Sequence, residues 1–510
     1  MDTADPSERR APIDISSDDF RSLGHTLVDR IADFLAELPT YAVTPAEPIA
    51  TVRGLLGGAG LPPEGTDPAR LLEEAADLLF DHSLLNGHPR FLGYVTSAPA
   101  PIGILGDLLA SAVNPNVGAW ILAPMATEIE AQTVRWLAEL IGYPPDCGGL
   151  LVSGGNLANI VPFIVARNTK APWNVHALGL AGEGRPRLRV YATHETHTWL
   201  DKAMDVAGLG TDALHWIPVD RRQRMDVDAL GSAIIEDRAR GDWPLLVVGS
   251  AGTVSTGAVD PLPALAAICR AHGLWFHVDG AYGGLAAALL DEAHGDRVPA
   301  DLRGIGEADS VAIDPHKWLY APLEAGCTLV RDAAALRATY SHTPDYYHFD
   351  QGEETERNYF EYGLQNSRGF RALKVWLALR QVGRAGCVRM ISDDISLAET
   401  LFRYVREDPE LQAITQGLSI TTFRYVPSDL TPGQDGVDDY LNTLNSALLT
   451  TLQRGGEVFV SNAVVDGAFL LRACIVNFRT SLADIAALPG IVTRAGRIVD
   501  QELRQGAGKG

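Results

Sequence analysis

One lysine of this chain stands where the sequence favours a reactive amine. Residues 309–319 read DSVAIDPHKWL, an apolar run that ends in Asp-Pro-His-Lys. Because Pro315 interrupts regular structure and favours a turn, we expect Lys317 at the end of a strand rather than on a solvated face. A lysine with apolar neighbours is expected to have a lowered pKa and to act as a nucleophile.

The scarcity of lysine strengthens this choice. Of the 42 lysines and arginines, five are lysines: Lys170, Lys202, Lys317, Lys374 and Lys509. Lys170 and Lys202 lie in polar segments, and Lys509 lies in a Gly-rich tail. Lys374 lies on a predicted helix, where we expect its ammonium group to reach solvent. Elimination therefore also selects Lys317.

A carboxylate is predicted at the end of another strand. Residues 277–284 read HVDGAYGG, and Asp279 closes an apolar run. A carboxylate in such a place is costly unless a cation or metal faces it, and a pyridinium nitrogen would serve. The small residues Gly280 and Ala281 would let a flat ring lie close to the backbone. A strand-end aspartate that caps the next helix is the alternative.

An anion site is predicted at a glycine-containing turn. Residues 148–167 read GGLLVSGGNLANIVPFIVAR, which predicts a strand, a turn and a helix that begins near Leu157. The free N–H groups and partial positive charge of the helix N-terminus favour a phosphate at Gly155 and Asn156. No Lys-Ser or Lys-Thr follows, which excludes a Walker loop. An ordinary strand-to-helix turn is the alternative.

Two histidines lie three residues apart in the segment THETHTWLDKA, residues 193–203. The spacing of His194 and His197 can suit a metal, but no carboxylate or third ligand follows at helical spacing, so we predict no metal site. The pattern favours one histidine that stacks on an aromatic ligand, with a core histidine as the alternative.

These four segments together match the needs of one cofactor. Pyridoxal phosphate (PLP) carries an aldehyde, a phosphate and a pyridine ring, and it acts as an electron sink once a protein holds the phosphate and protonates the ring. An amine, a carboxylate, an anion-binding turn and a stacking imidazole meet those requirements. The sequence therefore predicts PLP as the cofactor.

The elements that must position these residues are visible as alternating apolar runs and helical stretches from about residue 90 to 385. Strand candidates are LRVYAT, ALHWIPV, LLVVGS, LWFHVD, DSVAID and GCTLV. This alternation predicts an α/β fold with a largely parallel sheet covered on both faces and a ligand at the carboxyl ends of the strands.

The two ends of the chain differ from this middle part. Residues 18–38 place apolar side chains at intervals of three and four, which predicts an amphipathic helix. In the last part, TTFRYV, EVFVSNAVV and AFLLRACIV are strand candidates, and Asp466-Gly467 predicts a tight hairpin. We predict a helical arm and dimerisation segment over residues 1–90, a PLP-binding large domain over 91–385 and a small α+β domain over 386–510.

Composition excludes several functions. The net charge of -22 argues against nucleic acid as the partner, since phosphate binding needs an excess of Lys and Arg. No apolar run approaches the ~18 residues of a membrane helix. The N-terminus lacks the pattern of a signal peptide, and the five scattered cysteines read as free thiols, so we expect a cytoplasmic protein.

The chain resembles the group II PLP-dependent decarboxylases, the family of aromatic L-amino acid, histidine and glutamate decarboxylases. The resemblance runs from about Asp19 to about Arg479 and rests on DPHKW, HVDGAYGG, the SGGN turn and SRGFRALKVW. It implies a fold type I enzyme with a mostly parallel seven-stranded sheet, and a homodimer with its active sites at the subunit interface.

The resemblance also implies roles for individual residues. Lys317 would hold the cofactor as a Schiff base, Asp279 would pair with the pyridine nitrogen, and His197 would stack on the ring. The remaining cofactor contacts would be Gly155, Asn156, Thr253, Ala281, Asp314 and His316. The substrate-binding residues would be His88, Thr96, Trp120 and Ser367. Trp120 would act across the dimer, with plain core packing as the alternative.

Between Arg331 and Phe360 the chain contains a polar stretch with little periodicity, SHTPDYYHFDQGEETERNYF, which predicts a mobile loop. In the family a tyrosine on this loop protonates Cα after CO2 leaves. The spacing from Lys317 and the preceding Pro344 place it at Tyr346, with Tyr347 as the alternative. Family members with phenylalanine there tend toward aldehyde formation, so Tyr346 favours simple decarboxylation.

Two positions depart from the family pattern. Val254 stands where a second hydroxyl is frequent, and Gly369 stands where a second arginine is common. Ser367 favours a polar or phenolic ring over an indole.

We expect PLP-dependent decarboxylation of an aromatic L-amino acid of the tyrosine, DOPA, tryptophan or phenylalanine type to the amine and CO2. The alternatives are decarboxylation of histidine or an acidic amino acid, oxygen-dependent aldehyde synthesis, a fold type I aminotransferase or lyase, and a binding or scaffold protein that kept the fold.

Overall fold

The computed structural model describes residues 11–293, 295–342 and 356–507. Its α-helices are α1 (Ser17–Glu37), α2 (Ile49–Leu56), α3 (Pro68–Asp81), α4 (Pro101–Val113), α5 (Pro124–Leu140), α6 (Gly155–Lys170), α7 (Val175–Leu178), α8 (Trp199–Val206), α9 (Val227–Ala239), α10 (Leu262–His272), α11 (Pro315–Trp318), α12 (Ala333–Tyr340), α13 (Ala372–Glu407), α14 (Val437–Arg454) and α15 (Leu482–Ala507). Short 3-10 helices cover Leu38–Thr40, Trp120–Leu122, Thr211–Ala213, Gly283–Leu289, Gly295–Arg297, Ala300–Glu307 and Tyr359–Glu361.

The strands form a large sheet and a small one. They are β1 (Gly148–Val152), β2 (Leu188–Ala192), β3 (Leu214–Trp216), β4 (Trp243–Ser250), β5 (Trp275–Asp279), β6 (Ser310–Ile313), β7 (Gly326–Val330), β8 (Leu411–Gly417), β9 (Ile420–Tyr425), β10 (Ser461–Val465) and β11 (Ala468–Cys474). In the part of the chain that the structure describes, seven strands are ordered β1-β7-β6-β5-β4-β2-β3. β7 runs antiparallel to both neighbours, and the other pairs are parallel. The predicted seven-stranded, mostly parallel sheet is confirmed.

The sheet is apolar on both faces because helices cover both. Neighbouring side chains of β4 belong to different cores: Val247 packs in the cluster that contains Leu265 of α10, and Val248 in the cluster that contains Phe163 of α6. A parallel strand buried on both faces reads as a continuous apolar run, as LLVVGS does here. Since β4, β5 and β6 run in the same direction, their carboxyl ends share one edge of the sheet.

The small sheet is antiparallel throughout, with the order β10-β11-β9-β8. Asp466 and Gly467 join β10 to β11 with φ values of 49° and 79°, the double positive φ of a type I′ turn. The predicted hairpin is therefore confirmed. Apolar side chains of α13, α14 and α15 pack on this sheet, including Leu444 and Val492.

The N-terminal helices keep many apolar side chains at the surface. α1 confirms the predicted amphipathic helix, and none of its residues is buried within this chain. Phe34 of α1 stacks on Phe80 of α3 with ring centroids 4.2 Å apart. Large apolar side chains remain exposed along α1 to α4, among them Phe20, Ile49, Leu56, Leu79, Leu108 and Val113.

The structure corrects two expectations. α6 begins at Gly155 rather than near Leu157. Lys374 does not reach solvent: it is 5% exposed and lies 3.1 Å from the Asp107 carboxylate.

Two further predictions stay open. Tyr346 and Tyr347 lie outside the described residues. The domain boundaries remain predictions, and the one at residue 385 falls inside α13, close to its kink at Gly383, where φ is 64°. Within the described ranges, no helix combines the length and apolar character needed to cross a membrane.

Candidate active site

A cavity of about 330 Å³ opens at the carboxyl edge of the large sheet. The cofactor-binding residues predicted from the sequence all line it: Gly155, Asn156, His197, Thr253, Asp279, Ala281, Asp314, His316 and Lys317. They come from the ends of β1, β2, β4, β5 and β6 and from the helices and turns that follow. The rule that ligands of an open α/β sheet bind at the carboxyl ends of its strands therefore selects the right edge.

Lys317 is presented by the short helix α11, which follows β6 directly. Its Nζ lies 2.9 Å from Oδ2 of Asp314, and the side chains are 20% and 1% exposed. Thus the amine faces the cavity while its carboxylate partner is buried. Among the described residues, Oδ1 of Asp314 has no hydrogen-bond partner.

His316 is fixed beside this pair. Its Nδ1 lies 2.7 Å from the carbonyl oxygen of Ala325, so Nδ1 carries the proton and donates. Nε2 lies 3.8 Å from Oδ2 of Asp314. Burial lowers the pKa of His316, which favours the neutral ring.

The turn between β1 and α6 presents the N-terminus of α6 to the cavity. Gly154 has a φ of 114°, a conformation that favours glycine, and no side chain caps the helix. A Cβ at Gly155 would lie 2.6 Å from Oδ2 of Asp314. A side chain at this position would displace the buried Asp314 carboxylate, whereas glycine leaves the first N–H groups of α6 available to an anion.

Asp279 ends β5 and is 9% exposed. Its Oδ1 accepts a hydrogen bond from the backbone N–H of Ala281 at 3.1 Å, and its Oδ2 accepts one from Nε1–H of Trp199 at 2.7 Å. Both donors are neutral, and no ion pair to Asp279 occurs among the residues the structure describes. A buried carboxylate without a cationic partner lines the cavity.

A hydrogen-bonded layer lies behind Asp279. His277 Nε2 is 2.7 Å from Oδ1 of Asn159, and His277 Nδ1 is 2.8 Å from Oγ of Ser310. Asn159 donates in turn to the carbonyl oxygen of Gly155 at 2.8 Å. Burial lowers the pKa of His277 to about 4, so the ring is neutral at pH 7. The layer ties the first turn of α6 to β5.

The two histidines of THETHTW have different surroundings. His197 lines the cavity, and its Nδ1 accepts a hydrogen bond from the backbone N–H of Trp199 at 3.2 Å. Desolvation lowers the pKa of His197, and the Asp279 charge partly opposes that effect. His194 stacks instead on Trp216, with ring centroids 4.4 Å apart. The two side chains do not converge on one point.

Thr253 and Val254 also line the cavity. Thr253 Oγ1 lies 3.1 Å from Thr256 Oγ1, and both hydroxyls approach the backbone N–H of Ala258. Val254 lines the cavity with 39% of its surface exposed. Val254 is one of the two departures from the family pattern, and it presents an apolar side chain to the cavity.

Sequence reasoning missed two prominent side chains of the cavity, Glu195 and Trp199. Burial raises the pKa of Glu195, a bond from Ser255 opposes the rise, and its Oε2 is buried with no partner among the described residues. Both residues flank His197 in the segment that follows β2. The position of that segment at a strand end is the signal that could have found them.

The four predicted substrate-binding residues do not line this cavity. His88 is buried and accepts a hydrogen bond from the N–H of Arg90. Trp120 donates through Nε1 to Glu128 at 3.0 Å, whereas Thr96 is half-buried and Ser367 is exposed. Their roles stay predictions.

Comparison with known proteins places the chain in a family. Residues 59–426 match the model described as the pyridoxal-dependent decarboxylase conserved domain. The chain belongs to this family of PLP-dependent decarboxylases, and the predicted resemblance is confirmed.

The chain is similar to individual members over nearly its whole length. It is 34% identical to the aromatic-L-amino-acid decarboxylase of Bacillus atrophaeus over 93% of this chain and 94% of that one. It is 29% identical to a phenylacetaldehyde synthase of Petunia hybrida, covering 90% and 91%. The crystal structure of Oryza sativa TDC with PLP and tryptamine matches with a TM-score of 0.87 and 26% identity, covering 96% of this chain and 99% of that one.

The cavity suits PLP on three structural grounds. A primary amine, Lys317, faces it. The buried carboxylate of Asp279 lacks a cationic partner among the described residues, and a pyridinium N–H would supply one. The uncapped start of α6, at a glycine that tolerates no Cβ, leaves backbone N–H groups for the phosphate.

Proposed function

We propose that this enzyme removes the carboxyl group of an aromatic L-amino acid to give the amine and CO2. One observation carries the assignment of the site: Lys317 and Asp279, whose carboxylate has no cationic partner among the described residues, face one cavity beside the start of α6. The similarity to an aromatic-L-amino-acid decarboxylase supports the substrate class.

The cofactor contacts follow from this placement. Bound PLP supplies an electron sink for the electron pair left when CO2 departs. Lys317 would attach it through Nζ, and Asp279 would hold a proton on the ring nitrogen. The first N–H groups of α6, at Gly155 and Asn156, bind the phosphate, and His197 stacks as a neutral imidazole, in line with its lowered pKa. Thr253, Ala281, Asp314 and His316 complete the contacts.

The proton that replaces CO2 must reach Cα from an acid. We assign this role to Tyr346, on the family resemblance alone, since this residue lies outside the described ranges. A tyrosine that protonates Cα gives the amine, and Tyr346→Phe is expected to shift the product toward the aldehyde.

A substrate panel tests the proposal. L-Tyrosine, L-DOPA, L-tryptophan and L-phenylalanine are compared with L-histidine and L-glutamate, and product mass and CO2 release are recorded. We expect amine from at least one aromatic substrate and a much lower rate with the other two. Amine from L-histidine or L-glutamate alone would overturn the aromatic assignment.

Aldehyde synthesis is the second candidate, because a phenylacetaldehyde synthase is among the relatives. In that reaction the amino acid, O2 and water give aldehyde, CO2, ammonia and hydrogen peroxide. Peroxide and ammonia formed in step with CO2 would favour it, whereas amine without peroxide would exclude it.

We also propose a homodimer with active sites at the subunit interface. The exposed apolar side chains along α1 to α4 give a second copy a surface to cover. Trp120, which does not line the cavity of its own chain, would then serve the partner's site, and His88, Thr96 and Ser367 would contribute to the substrate pocket. All five cysteines lie in described residues and are free and buried, which supports a reducing cytoplasmic location.

Subunit mixing tests the shared site. Lys317→Ala and Trp120→Ala subunits are inactive in separate dimers, but a mixed dimer holds one site with both residues intact if Trp120 acts across the interface. Random exchange would restore about a quarter of wild-type activity, since half the dimers are mixed and each has one intact site. No recovery after confirmed exchange would contradict an interfacial role of Trp120.

A further inference from the structure

The indole of Trp199 is held rigidly beside Asp279. Its side chain is 1% exposed, and it packs edge-on against Phe163 and His277, with ring centroids 6.3 and 5.7 Å away. Nε1–H of Trp199 is directed at Oδ2 of Asp279, 2.7 Å away. Because the packing fixes the ring, it also fixes the direction of this donor.

The two hydrogen bonds to Asp279 restrain different oxygens. The backbone N–H of Ala281 bonds Oδ1, and Trp199 bonds Oδ2. The terminal torsion of an aspartate is intrinsically broad, so a single bond leaves the carboxylate free to turn about Cβ–Cγ. A bond to each oxygen fixes the plane of the carboxylate, and Trp199 is the side chain that completes the pair.

Both donors to Asp279 are uncharged. Hydrogen bonds from neutral N–H groups stabilise a carboxylate without cancelling its charge. An arginine or lysine in place of Trp199 would form an ion pair and compete with any cation in the cavity. The indole satisfies Oδ2 and leaves the charge for a ligand.

We propose that Trp199 is a positioning residue whose indole N–H sets the plane of the Asp279 carboxylate for the ring nitrogen of the cofactor. The inference rests on the proposed pairing between Asp279 and that nitrogen. It predicts that loss of the indole N–H weakens binding only of ligands that carry the ring nitrogen.

The experiment measures cofactor affinity of the full-length apoprotein by equilibrium dialysis. The ligands are PLP and its deaza analogue, which has C–H in place of the ring nitrogen. The proteins are the wild type, Trp199→Phe, Asp279→Asn and the double variant. Trp243→Phe is the matched control. Trp243 lies at the start of β4, away from the cavity, and its Nε1–H donates to the carbonyl oxygen of Lys170.

We expect Trp199→Phe to weaken PLP binding about tenfold, the usual loss for a hydrogen bond to a charged group, and to leave the analogue within about twofold. Trp243→Phe should change neither affinity. The double variant should bind PLP no more weakly than Asp279→Asn alone, because both changes remove one interaction.

Equal losses for the two ligands in Trp199→Phe would show a packing role and overturn the inference, as would no loss for either. If Trp199→Phe does not fold, benzothienylalanine at position 199 removes the N–H and keeps the ring size. The same comparison of ligands then decides.

The same experiment distinguishes failure of the proposed pairing between Asp279 and the ring nitrogen from failure of the positioning role of Trp199. If Asp279→Asn weakens PLP and the analogue alike, Asp279 does not pair with the ring nitrogen. If Asp279→Asn distinguishes the ligands and the Trp199 variants do not, the pairing stands and the positioning role of Trp199 is wrong.

Discussion

Two buried carboxylates among the described residues each accept a hydrogen bond from an indole, yet only one of them lines the candidate active-site cavity. Asp279 accepts from Trp199, and Asp394 of α13 accepts from Nε1–H of Trp318 at 2.8 Å and from the hydroxyl of Tyr320 at 2.7 Å. Both carboxylates are at most 9% exposed. The local chemistry is therefore almost the same.

The two carboxylates differ in whether they are open to a cavity. Asp279 lines the cavity, whereas Asp394 is enclosed, and burial raises its pKa to about 7 against an ordinary value of 3.8. Trp318 is the last residue of α11, and Tyr320 lies two residues beyond it. Through its hydrogen bonds to both side chains, Asp394 anchors the segment that contains Lys317. An indole–carboxylate contact thus prepares a binding site when one side stays open and stabilises the fold when both sides are closed.

The largest expected effect is that of Lys317→Ala, which asks whether the cavity beside Asp279 binds the cofactor at all. Without the attaching amine, activity should fall about a thousandfold or more, and the absorption band of the bound cofactor should disappear. Lys170→Ala and Lys202→Ala are the controls and should keep both. A Lys317→Ala protein with an unchanged band would remove the cavity from consideration as the cofactor site.

Asp279→Asn and Asp394→Asn separate the two carboxylates directly. We expect Asp279→Asn to lower kcat/KM by about a hundredfold or more with little change in the free energy of unfolding, since an amide cannot hold the proton of the ring nitrogen. Asp394→Asn should have a smaller effect on kcat/KM. Urea unfolding and steady-state kinetics of both variants give the comparison, and the reverse order of kinetic effects would contradict it.

The pH dependence of stability isolates Asp394. A carboxyl whose pKa is higher in the fold destabilises the folded state as pH rises, because the unfolded chain releases its proton first. The loss of folding stability begins near pH 3.8 and is complete above about pH 7. The difference between the two pKa values corresponds to a loss in the free energy of unfolding on the order of 4 kcal/mol. Asp394→Asn should lack this decline.

The measurement is urea unfolding of the apoprotein between pH 5 and pH 8, reported as variant minus wild type so that other titrating groups cancel. The difference should grow in favour of Asp394→Asn as pH rises. A constant difference would mean that Asp394 titrates outside this range.

The smallest expected effect is that of Trp318→Phe, the structural counterpart of Trp199→Phe. Loss of its N–H leaves Asp394 with the Tyr320 hydroxyl as its remaining side-chain donor. We expect the free energy of unfolding to fall by about 1–3 kcal/mol. Trp243→Phe, whose indole is 41% exposed, should change it by less than about 1 kcal/mol. Equal losses in the free energy of unfolding for Trp318→Phe and Trp243→Phe would show that the hydrogen bond from Trp318 to Asp394 stabilises the fold no more than an exposed one does.

Residues at strand ends could be predicted because local sequence determines where a strand stops. Asp279, Lys317 and Gly155 each follow an apolar run, and the carboxyl-edge rule brings them together without knowledge of the contacts. The predicted hairpin at Asp466-Gly467 is of the same kind, since positive φ at both positions selects these residues.

Contacts between distant segments could not be predicted in this way. Trp199 and Asp279 are 80 positions apart, and nothing in the sequence near either residue indicates that their side chains meet. The antiparallel direction of β7 and the presence of β8 were missed for a related reason, since an apolar run does not reveal its partner strand or its direction. Lys374 looked exposed because its partner, Asp107, lies on another helix.

The position of β1 has a consequence for how the enzyme is made. Among the described strands of the large sheet, β1 comes first in the chain, but it lies at the edge of the sheet and pairs with β7, which comes last. Until β7 has been synthesised, β1 has no partner strand, and the glycine turn that follows it cannot reach Asp314 and Lys317. A nascent chain that ends before residue 326 therefore lacks the strand that pairs with β1, so the large sheet is completed only after β7 has been synthesised.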